Sequence, residues 1–592
     1  MKKRKYTPYD AAFTAKIDAW QPLAHAAADV LGTDTHDALN VLERKKPFRP
    51  GNRKIVSLTF ENNYAPLGGL AAVMRFFPAF LQKTGEDSIV MTPLYTNIPA
   101  VKKALAGGEL EPVLEQQKFS PYSKAPYEGT VSCYRGAETQ PCVYFVSVDG
   151  RFTAEQNPYS YDDSDDILDD ALAFCAAVPF VLARLGFAED ILFHAHDWET
   201  APIALASKFA LLDGVLESAR TVLTLHNSFD SGISADRKKL FFGDGVRGDT
   251  VLRCAIPLLN GPLTTVSTPF ARELRDDPLQ RTVFTSHLQD VFSINPPVGI
   301  ENGMFGRPYL RYTYTALSRA RQGDVSKLLE QKARFRERML EIAGGMGHSE
   351  VIGSLRDVDV DCRRPIFFMS GRLDLTQKGF DVIFQAIKKF PAGEAGLIFS
   401  PSGVEAAKSS EELAFFREVA GERPGDIVIW PFRVPSEDYA AVVSGSSFLL
   451  MPSFYEPFGA ATEGFMHGTP VMARATGGLL AQVRPAGAGD KVNENATGIL
   501  YRECAESFDP GDWRRILDAP VGRRIDVPLY QSMVGEAYLA LEKAVKIFAD
   551  GQAYGRMMLC GMDGLGDFSW DAAVWKYRRV YAAASGRGFF DT

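Results

Sequence analysis

The sequence has no apolar run long enough to cross a membrane, although 46% of its residues are hydrophobic. Its basic opening, residues 1–5, leads into polar residues and not into the apolar stretch of a secretory signal. The high apolar content is typical of a globular chain. We therefore expect a cytoplasmic protein with no membrane partner.

The sequence also lacks an excess of positive charge. Lysine and arginine number 65 against 73 aspartate and glutamate residues, which gives a formal net charge of -8. Such a balance provides no long-range attraction for nucleic acid, so no nucleic-acid partner is expected. Any anionic ligand has to be held by local groups.

Cysteine is sparse, with seven scattered residues that lack the spacing of a zinc site. We predict reduced thiols, with a bond between Cys133 and Cys142 across a hairpin as the alternative. Asp163-Ser164-Asp165 has the spacing of a metal-dependent sugar transferase motif. Because it precedes the apolar segment 167–185, it is better interpreted as an acidic helix start. We expect no metal.

The length of 592 residues exceeds what one hydrophobic core serves, so at least two domains are expected. Short apolar strands alternate with helices in two series, one beginning at Lys54 and the other at Ile366. This pattern predicts an α/β fold with two Rossmann-like, doubly wound domains of parallel strands that face each other across a cleft. Ligands of such domains bind at the carboxyl ends of the strands.

The predicted organisation has five parts. In chain order they are an N-terminal extension (1–53), an N-terminal Rossmann-like domain (54–305), a linker with an insertion (306–364), a C-terminal Rossmann-like domain (365–566), and a C-terminal helix crossing back to the N-terminal domain (567–592).

Two cations follow the first strand of the second series, in the loop that contains Arg372 and Lys378. Arginine binds phosphate oxygens bidentately, and lysine supplies a mobile point charge. Held on one loop, the two suit a diphosphate and could stabilise negative charge as it departs. No metal is needed for that role.

A second motif is the segment 451–459, which is followed by a predicted helix over 460–467. Gly459 allows a close approach of the backbone to a ligand, and the N–H groups from Ala460 onward could meet a phosphate. Glu456 lies just before them, where a carboxylate can bind sugar hydroxyls and steady a positively charged sugar ring.

Taken in order, these motifs resemble those of the glycogen and starch synthases, retaining glycosyltransferases of the GT-B type. The resemblance covers about 54–581 and implies a nucleotide-sugar donor, an α-glucan acceptor and no cofactor. It also implies that Arg372 and Lys378 contact the donor diphosphate and that Glu456 contacts the glucosyl unit. By the same resemblance, domain 365–566 is expected to bind the nucleotide sugar, and domain 54–305 is expected to lie on the acceptor side.

Residues of the first domain extend the resemblance. The segment 190–200 is similar to the family's histidine motif, which implies that His196 hydrogen-bonds the donor glucose in a reaction on one sugar face without a covalent enzyme intermediate. Segments 265–273 and 568–570 also match. The resemblance further implies substrate-binding roles for a set of neighbouring residues, namely Gly68, Gly69, Asp197, Asn227, Phe458, Gly459, Ala460, Gly477 and Gly478.

The first domain also departs from the family pattern. Pro66 stands where the family usually has lysine, Ala72 where it has aspartate, and Glu199 where bacterial synthases have histidine. The spacing of six from Arg372 to Lys378 resembles that of animal and fungal glycogen synthases.

The leading hypothesis is a glycogen/starch synthase-like retaining glucosyltransferase that extends an α-1,4-glucan from ADP-glucose or UDP-glucose. One alternative is a GT-B transferase with a different acceptor. Another is a glucan-binding or regulatory relative without turnover. The retained Arg372, Lys378 and Glu456 favour an enzyme, since a pure glucan binder needs no donor phosphate site. The nucleobase and the oligomeric state are left open.

Overall fold

The computed structural model describes residues 10–137, 141–161, 163–306, 311–356, 364–403, 407–432, 434–487, 489 and 492–586. Contacts divide the chain into two compact units. Unit 1 comprises Met1–Val266, Phe284–Phe305 and Trp570–Thr592, and unit 2 comprises Ser267–Val283 and Gly306–Ser569. Residues 267–283, which the predicted domain boundaries place in the N-terminal domain, thus group with unit 2.

Unit 1 is built on a sheet of nine strands within the described residues, in the order β3-β4-β5-β2-β1-β6-β7-β8-β9. Six neighbouring pairs are parallel, whereas β4 pairs antiparallel with both β3 and β5. The strands are β1 (Lys54–Leu58), β2 (Asp87–Pro93), β3 (Leu110–Phe119), β4 (Gly129–Gly136), β5 (Val143–Val148), β6 (Ile191–His196), β7 (Ala219–Leu225), β8 (Thr264–Thr265) and β9 (Val298–Gly299).

Unit 2 is built on a sheet of seven strands among the described residues, in the order β10-β13-β12-β11-β14-β15-β16. All pairs are parallel except β10 with β13. The strands are β10 (Ile352–Gly353), β11 (Ile366–Arg372), β12 (Gly396–Ser402), β13 (Ile427–Ile429), β14 (Phe448–Met451), β15 (Val471–Arg474) and β16 (Gly498–Tyr501).

Helices connect the strands in both units, as a parallel sheet requires. They are α1 (Ala11–Asp18), α2 (Ala24–Leu31), α3 (Thr33–Lys45), α4 (Gly69–Lys83), α5 (Pro99–Ala106), α6 (Ser164–Arg184), α7 (Ile203–Leu212), α8 (Ala235–Phe242), α9 (Val251–Ala255), α10 (Thr268–Asp276), α11 (Gln289–Ile294), α12 (Tyr314–Arg321), α13 (Ser326–Gly345), α14 (Phe380–Lys389), α15 (Ala407–Glu422), α16 (Ser436–Gly445), α17 (Ala461–Met466), α18 (Gly477–Gln482), α19 (Asp512–Asp518), α20 (Pro528–Ala549), α21 (Gly551–Gly564) and α22 (Trp570–Ala584).

One hydrophobic cluster of unit 1 joins residues from both ends of the chain. It includes Phe13 from α1, Phe77 from α4, and Trp570 and Tyr581 from α22. A Cβ atom at Gly303 would lie 2.4 Å from Cγ of Trp570, so the indole ring packs directly on this glycine. The last helix is therefore part of the core of unit 1.

The predicted α/β class with two sheets of mainly parallel strands is confirmed by this architecture. In the parallel sheets, the residues singled out from sequence lie at carboxyl ends of strands: His196 ends β6, Asn227 lies in the loop after β7, and Arg372 ends β11. No helix among the described residues is both long and apolar enough to span a lipid bilayer.

Candidate active site

The loop after β11 holds the two predicted cations of unit 2. Arg372 is the last residue of the strand, and its Nη2 lies 3.5 Å from Oε1 of Gln377, to which it donates. The backbone N–H of Lys378 donates to the carbonyl of Asp374 at 2.7 Å, which closes the turn. Gly379 has φ +56°, and a Cβ there would lie 2.5 Å from the carbonyl oxygen of Pro452. The loop is thus packed against the segment that follows β14.

Lys378 and Glu456 form an ion pair at the centre of this region. Lys378 Nζ donates to Glu456 Oε2 at 2.7 Å, and Ser453 Oγ donates to the same oxygen at 2.9 Å. The side chains are 19% and 10% exposed, so both are shielded yet reachable. The sequence predicted separate roles for the two residues, and the structure brings them into direct contact.

Gln377 joins the two motifs, although it was not singled out from the sequence. Its carbonyl accepts from Phe454 N–H at 2.7 Å, and its side-chain Nε2 donates to the carbonyl of Tyr455 at 3.5 Å. Because it also accepts from Arg372, it fixes the position of the 451–459 segment relative to the first cation.

The 456–460 loop ends in the short helix α17, whose start differs from the expectation. The N–H of Ala461 donates to Oε1 of Gln482 at 3.1 Å, and Nε2 of Gln482 donates to the carbonyl of Gly459 at 3.1 Å. The N–H of Glu463 donates to Ala460 O at 2.9 Å. Part of the predicted anion-binding set of N–H groups is therefore already engaged by the protein.

The glycine pair that begins α18 packs against the backbone of this loop. A Cβ at Gly477 would lie 2.0 Å from the carbonyl oxygen of Glu456, and one at Gly478 would lie 1.9 Å from that of Phe458. Gly478 N–H also donates to Glu456 O at 2.8 Å. Only residues without a side chain allow this approach. The pair therefore supports the loop that carries Glu456.

In unit 1, His196 lies at the end of β6 and is buried. Its Nδ1 is 2.9 Å from Nε2 of His226, and its Nε2 has no hydrogen-bond partner within the described residues. Burial, together with the neighbouring rings of His194 and His226, holds the pKa of His196 well below its usual range. The ring is therefore neutral, with one buried nitrogen ready for a ligand hydroxyl.

Asp197 adopts a left-handed backbone conformation, with φ +66°. Its Oδ1 accepts the N–H groups of His226 at 2.6 Å and of Asn227 at 3.2 Å, which ties the end of β6 to the loop after β7. Burial raises the pKa of Asp197 to about 7. The structure thus brings His196, Asp197 and Asn227 together.

Glu199, a departure from the family pattern, is buried next to this group. Its Oε2 has no hydrogen-bond partner among the residues described. Burial, and then the charges of Asp197 and Glu61, raise the pKa of Glu199 well above its usual range. The raised pKa favours the neutral, protonated form of the Glu199 carboxyl group. This could not be inferred from the replacement of histidine by glutamate in the sequence.

The Gly68-Gly69 turn begins α4, but its first N–H is engaged. Glu61 Oε2 accepts from Leu67 at 3.0 Å, from Gly68 at 2.7 Å and from Ala71 at 3.3 Å. A carboxylate of the chain thus occupies the N-terminal position of a turn to which the resemblance gives a substrate-binding role. Glu61 was missed from the sequence because its contacts depend on how the loop 62–67 folds back.

Two other features of the sequence have structural roles. His194 is buried and bonded at both ring nitrogens, to Tyr581 Oη at 2.8 Å and Thr224 Oγ1 at 2.7 Å. Asp163 caps α6 by accepting the N–H of Asp165 at 2.9 Å. Among the described residues, no group of three or more histidine, cysteine or acidic side chains has an arrangement that could hold a metal ion.

Family models match both units of the chain. The model for the starch synthase catalytic domain matches residues 54–282, and one for family 4 glycosyltransferases in conflict systems matches 324–501.

Curated relatives and a solved structure extend this similarity. A glycogen synthase of Thermotoga petrophila is 26% identical over 475 residues, which are 76% of this chain and 88% of that protein. One of Dechloromonas aromatica is 25% identical over 548 residues, covering 87% and 95%. The catalytic domain of starch synthase IV from Arabidopsis thaliana, solved with ADP and acarbose, has a TM-score of 0.67 at 19% identity and covers 90% of this chain and 99% of its own. The last likeness shows the fold.

Proposed function

Because the chain is a GT-B glycosyltransferase of the glycogen/starch synthase type, we propose that it extends an α-1,4-glucan with glucosyl units from ADP-glucose or UDP-glucose. The observation that carries the proposal is the contact between Lys378 and Glu456, which places a cation beside a carboxylate on the loops after β11 and β14. The arrangement suits a donor whose diphosphate leaves while its sugar ring becomes positively charged.

In this proposal each group has one task. Arg372 and Lys378 bind the diphosphate and stabilise the negative charge that it gains as the glycosidic C–O bond breaks. Glu456 accepts hydroxyl hydrogens of the glucose and faces the developing positive charge. Neutral His196 binds a donor hydroxyl through Nε2. The acceptor hydroxyl attacks the same sugar face and releases its proton to the leaving phosphate.

We also propose that the reaction needs no metal, since the two cations provide the charge compensation. The donor nucleotide is proposed from the relatives: the starch synthase with this fold was bound to ADP. A cytoplasmic location is part of the same proposal. The described cysteines are free thiols, as expected of a reducing compartment.

A second candidate is transfer to a different acceptor. It is favoured by unit 1, where Glu61 occupies the Gly68 turn and Glu199 replaces the histidine of bacterial synthases. These changes lie on the side that the resemblance assigns to the acceptor, while Arg372, Lys378 and Glu456 are retained.

The test is the release of nucleoside diphosphate by the full chain from ADP-glucose and UDP-glucose, each with glycogen and with a panel of small sugars and proteins. We expect glycogen-dependent release that persists with EDTA and is lost in Arg372→Ala. Release with another acceptor alone would establish the second candidate. If calorimetry detects binding of glycogen but no binding of either donor, the protein is a non-catalytic glucan binder.

A further inference from the structure

The segment 265–273, a sequence motif to which no role has been assigned, contacts the loop that carries Glu456. Ser267 is fully buried, and its Oγ donates to the carbonyl oxygen of Pro457 at 2.6 Å. Pro457 directly follows Glu456 in the chain. Ser267 also begins α10 by accepting the N–H of Phe270 at 3.3 Å, so the contact is anchored to a helix.

The same helix holds the glycine pair behind the loop. Glu273 Oε1 accepts the N–H of Gly477 at 2.8 Å, and Oε2 accepts from Thr476 Oγ1 at 3.0 Å. Gly478 in turn donates to the carbonyl of Glu456. One side of the loop is therefore bonded directly to α10, and the other through α18.

Charged neighbours surround Glu273 from three elements. Asp277 is the C-cap of α10, one turn after Glu273. Arg474 ends β15, and Arg502 follows β16 with its Nη1 3.7 Å from Glu273 Oε1. Arg502 also pairs with Asp277, and Nε of Arg474 donates to Glu503 at 2.8 Å. Both arginines therefore also pair with other carboxylates. The shortest contacts of Glu273 are its hydrogen bonds to Thr476 and Gly477, at the start of α18.

We infer that Ser267 and Glu273 are positioning residues that hold Glu456 in place for the donor glucose. This inference rests on the proposed function. Neither residue contacts a reacting atom; each fixes the backbone on one side of the 456–460 loop. Burial raises the pKa of Glu273 to about 7, so the bonds to α18 weaken as the pH falls through that value and the carboxylate takes up a proton.

The experiment compares Ser267→Ala, Glu273→Ala and Glu273→Gln in the full chain. Ser446→Ala is the matched control, because Ser446 is equally buried in unit 2 and donates to the carbonyl of Val442 at 2.6 Å, away from the loop. Hydrogen–deuterium exchange of residues 454–460 measures the hold on the loop without any substrate. Turnover and the KM for glycogen are measured beside it.

We expect both alanine variants to exchange at least fivefold faster over 454–460 and to lose at least tenfold in kcat with glycogen KM within twofold. Glu273→Gln keeps an acceptor for Gly477 and should retain most turnover. The ratio of its activity to that of the wild type should rise as the pH falls below about 7. Ser446→Ala should change neither quantity.

Unchanged exchange in both alanine variants, or an equal change in Ser446→Ala, would overturn the inference. If the wild type releases no diphosphate from either donor, the proposed function fails, and the exchange comparison still decides whether α10 holds the loop.

Discussion

The Nδ1 atom of His196 lies 2.9 Å from Nε2 of His226, so a single hydrogen between the two rings sets the tautomer of both. The pKa of His226 is lowered to about 3 by burial, and His196 is shifted in the same direction. Both rings are neutral near pH 7. His226 thus decides whether Nε2 of His196 donates or accepts toward a ligand.

His226→Ala should therefore lower kcat about tenfold, or about 1.4 kcal/mol, because the tautomer and orientation of His196 are no longer fixed. His226→Gln should recover part of the loss, since the amide can bond Nδ1. Steady-state kinetics with both variants test this, with His36→Ala on α3 as the control. Equal kcat in all three variants would contradict the role of His226.

Lys378→Ala should lower turnover at least about a hundredfold, a loss of about 3 kcal/mol in charge stabilisation. The change removes a cation from the leaving group and leaves Ser453 Oγ as the one remaining donor to the Glu456 carboxylate among the contacts described above. Lys388→Ala is the control, because Lys388 forms a surface pair with Glu422. If donor turnover is the same in both variants, Lys378 has no part in the reaction.

Asp197→Asn should stabilise the protein more at high pH than at low pH. The native pKa of Asp197 is about 7, above the value of about 3.9 in an unfolded chain, so the native state loses relative stability as the pH rises from about 3.9 to 7 and loses no more above that. Asparagine cannot ionise, accepts the same N–H groups and tolerates φ +66°.

We expect the difference in melting temperature between this variant and the wild type to grow by about 2 °C or more from pH 5.5 to pH 8.5. Asp149→Asn, in an exposed turn, serves as the control. A constant difference across this range would mean that Asp197 is already ionised in the native state at pH 5.5.

Gly478→Ala should reduce kcat at least about tenfold, since its Cβ would lie 1.9 Å from the carbonyl oxygen of Phe458 and the loop would have to move. Gly535→Ala provides the matched comparison: this glycine is exposed on α20 and has no atom within 4 Å of the added Cβ. Alanine there should stabilise the helix by about 0.5–1 kcal/mol and leave turnover unchanged. Thermal melting and kinetics of both variants distinguish a local effect on the loop from a general one.

The parallel part of each sheet could be predicted because its strands are continuous buried apolar runs, such as β11 and β12. Strand β3 was not predicted, since it lies at a sheet edge and most of its residues are at least partly exposed, including Glu111 and Lys118. Its pairing with β4 also shifts register twice, which removes a regular alternation from the sequence.

The candidate site likewise contains residues that could be predicted from the sequence and contacts that could not. Arg372, Lys378 and Glu456 were identified from the order of motifs, and the structure places the last two in contact. The bonds of Glu61 and Gln482 could not be predicted, because they depend on the path of a loop and on the packing of two helices. Those bonds engage N–H groups that the sequence left open for a ligand.

The packing of Trp570 on Gly303 has a consequence for the order in which the two units can fold during synthesis. The core of unit 1 contains Phe13 near the start of the chain and Tyr581 near its end. A ribosome that has released residues 1–305 has therefore not yet supplied the helix that completes this core. Unit 2, whose last residue is Ser569, is fully synthesised first. The half of the enzyme that is translated first should be the last to reach its native state.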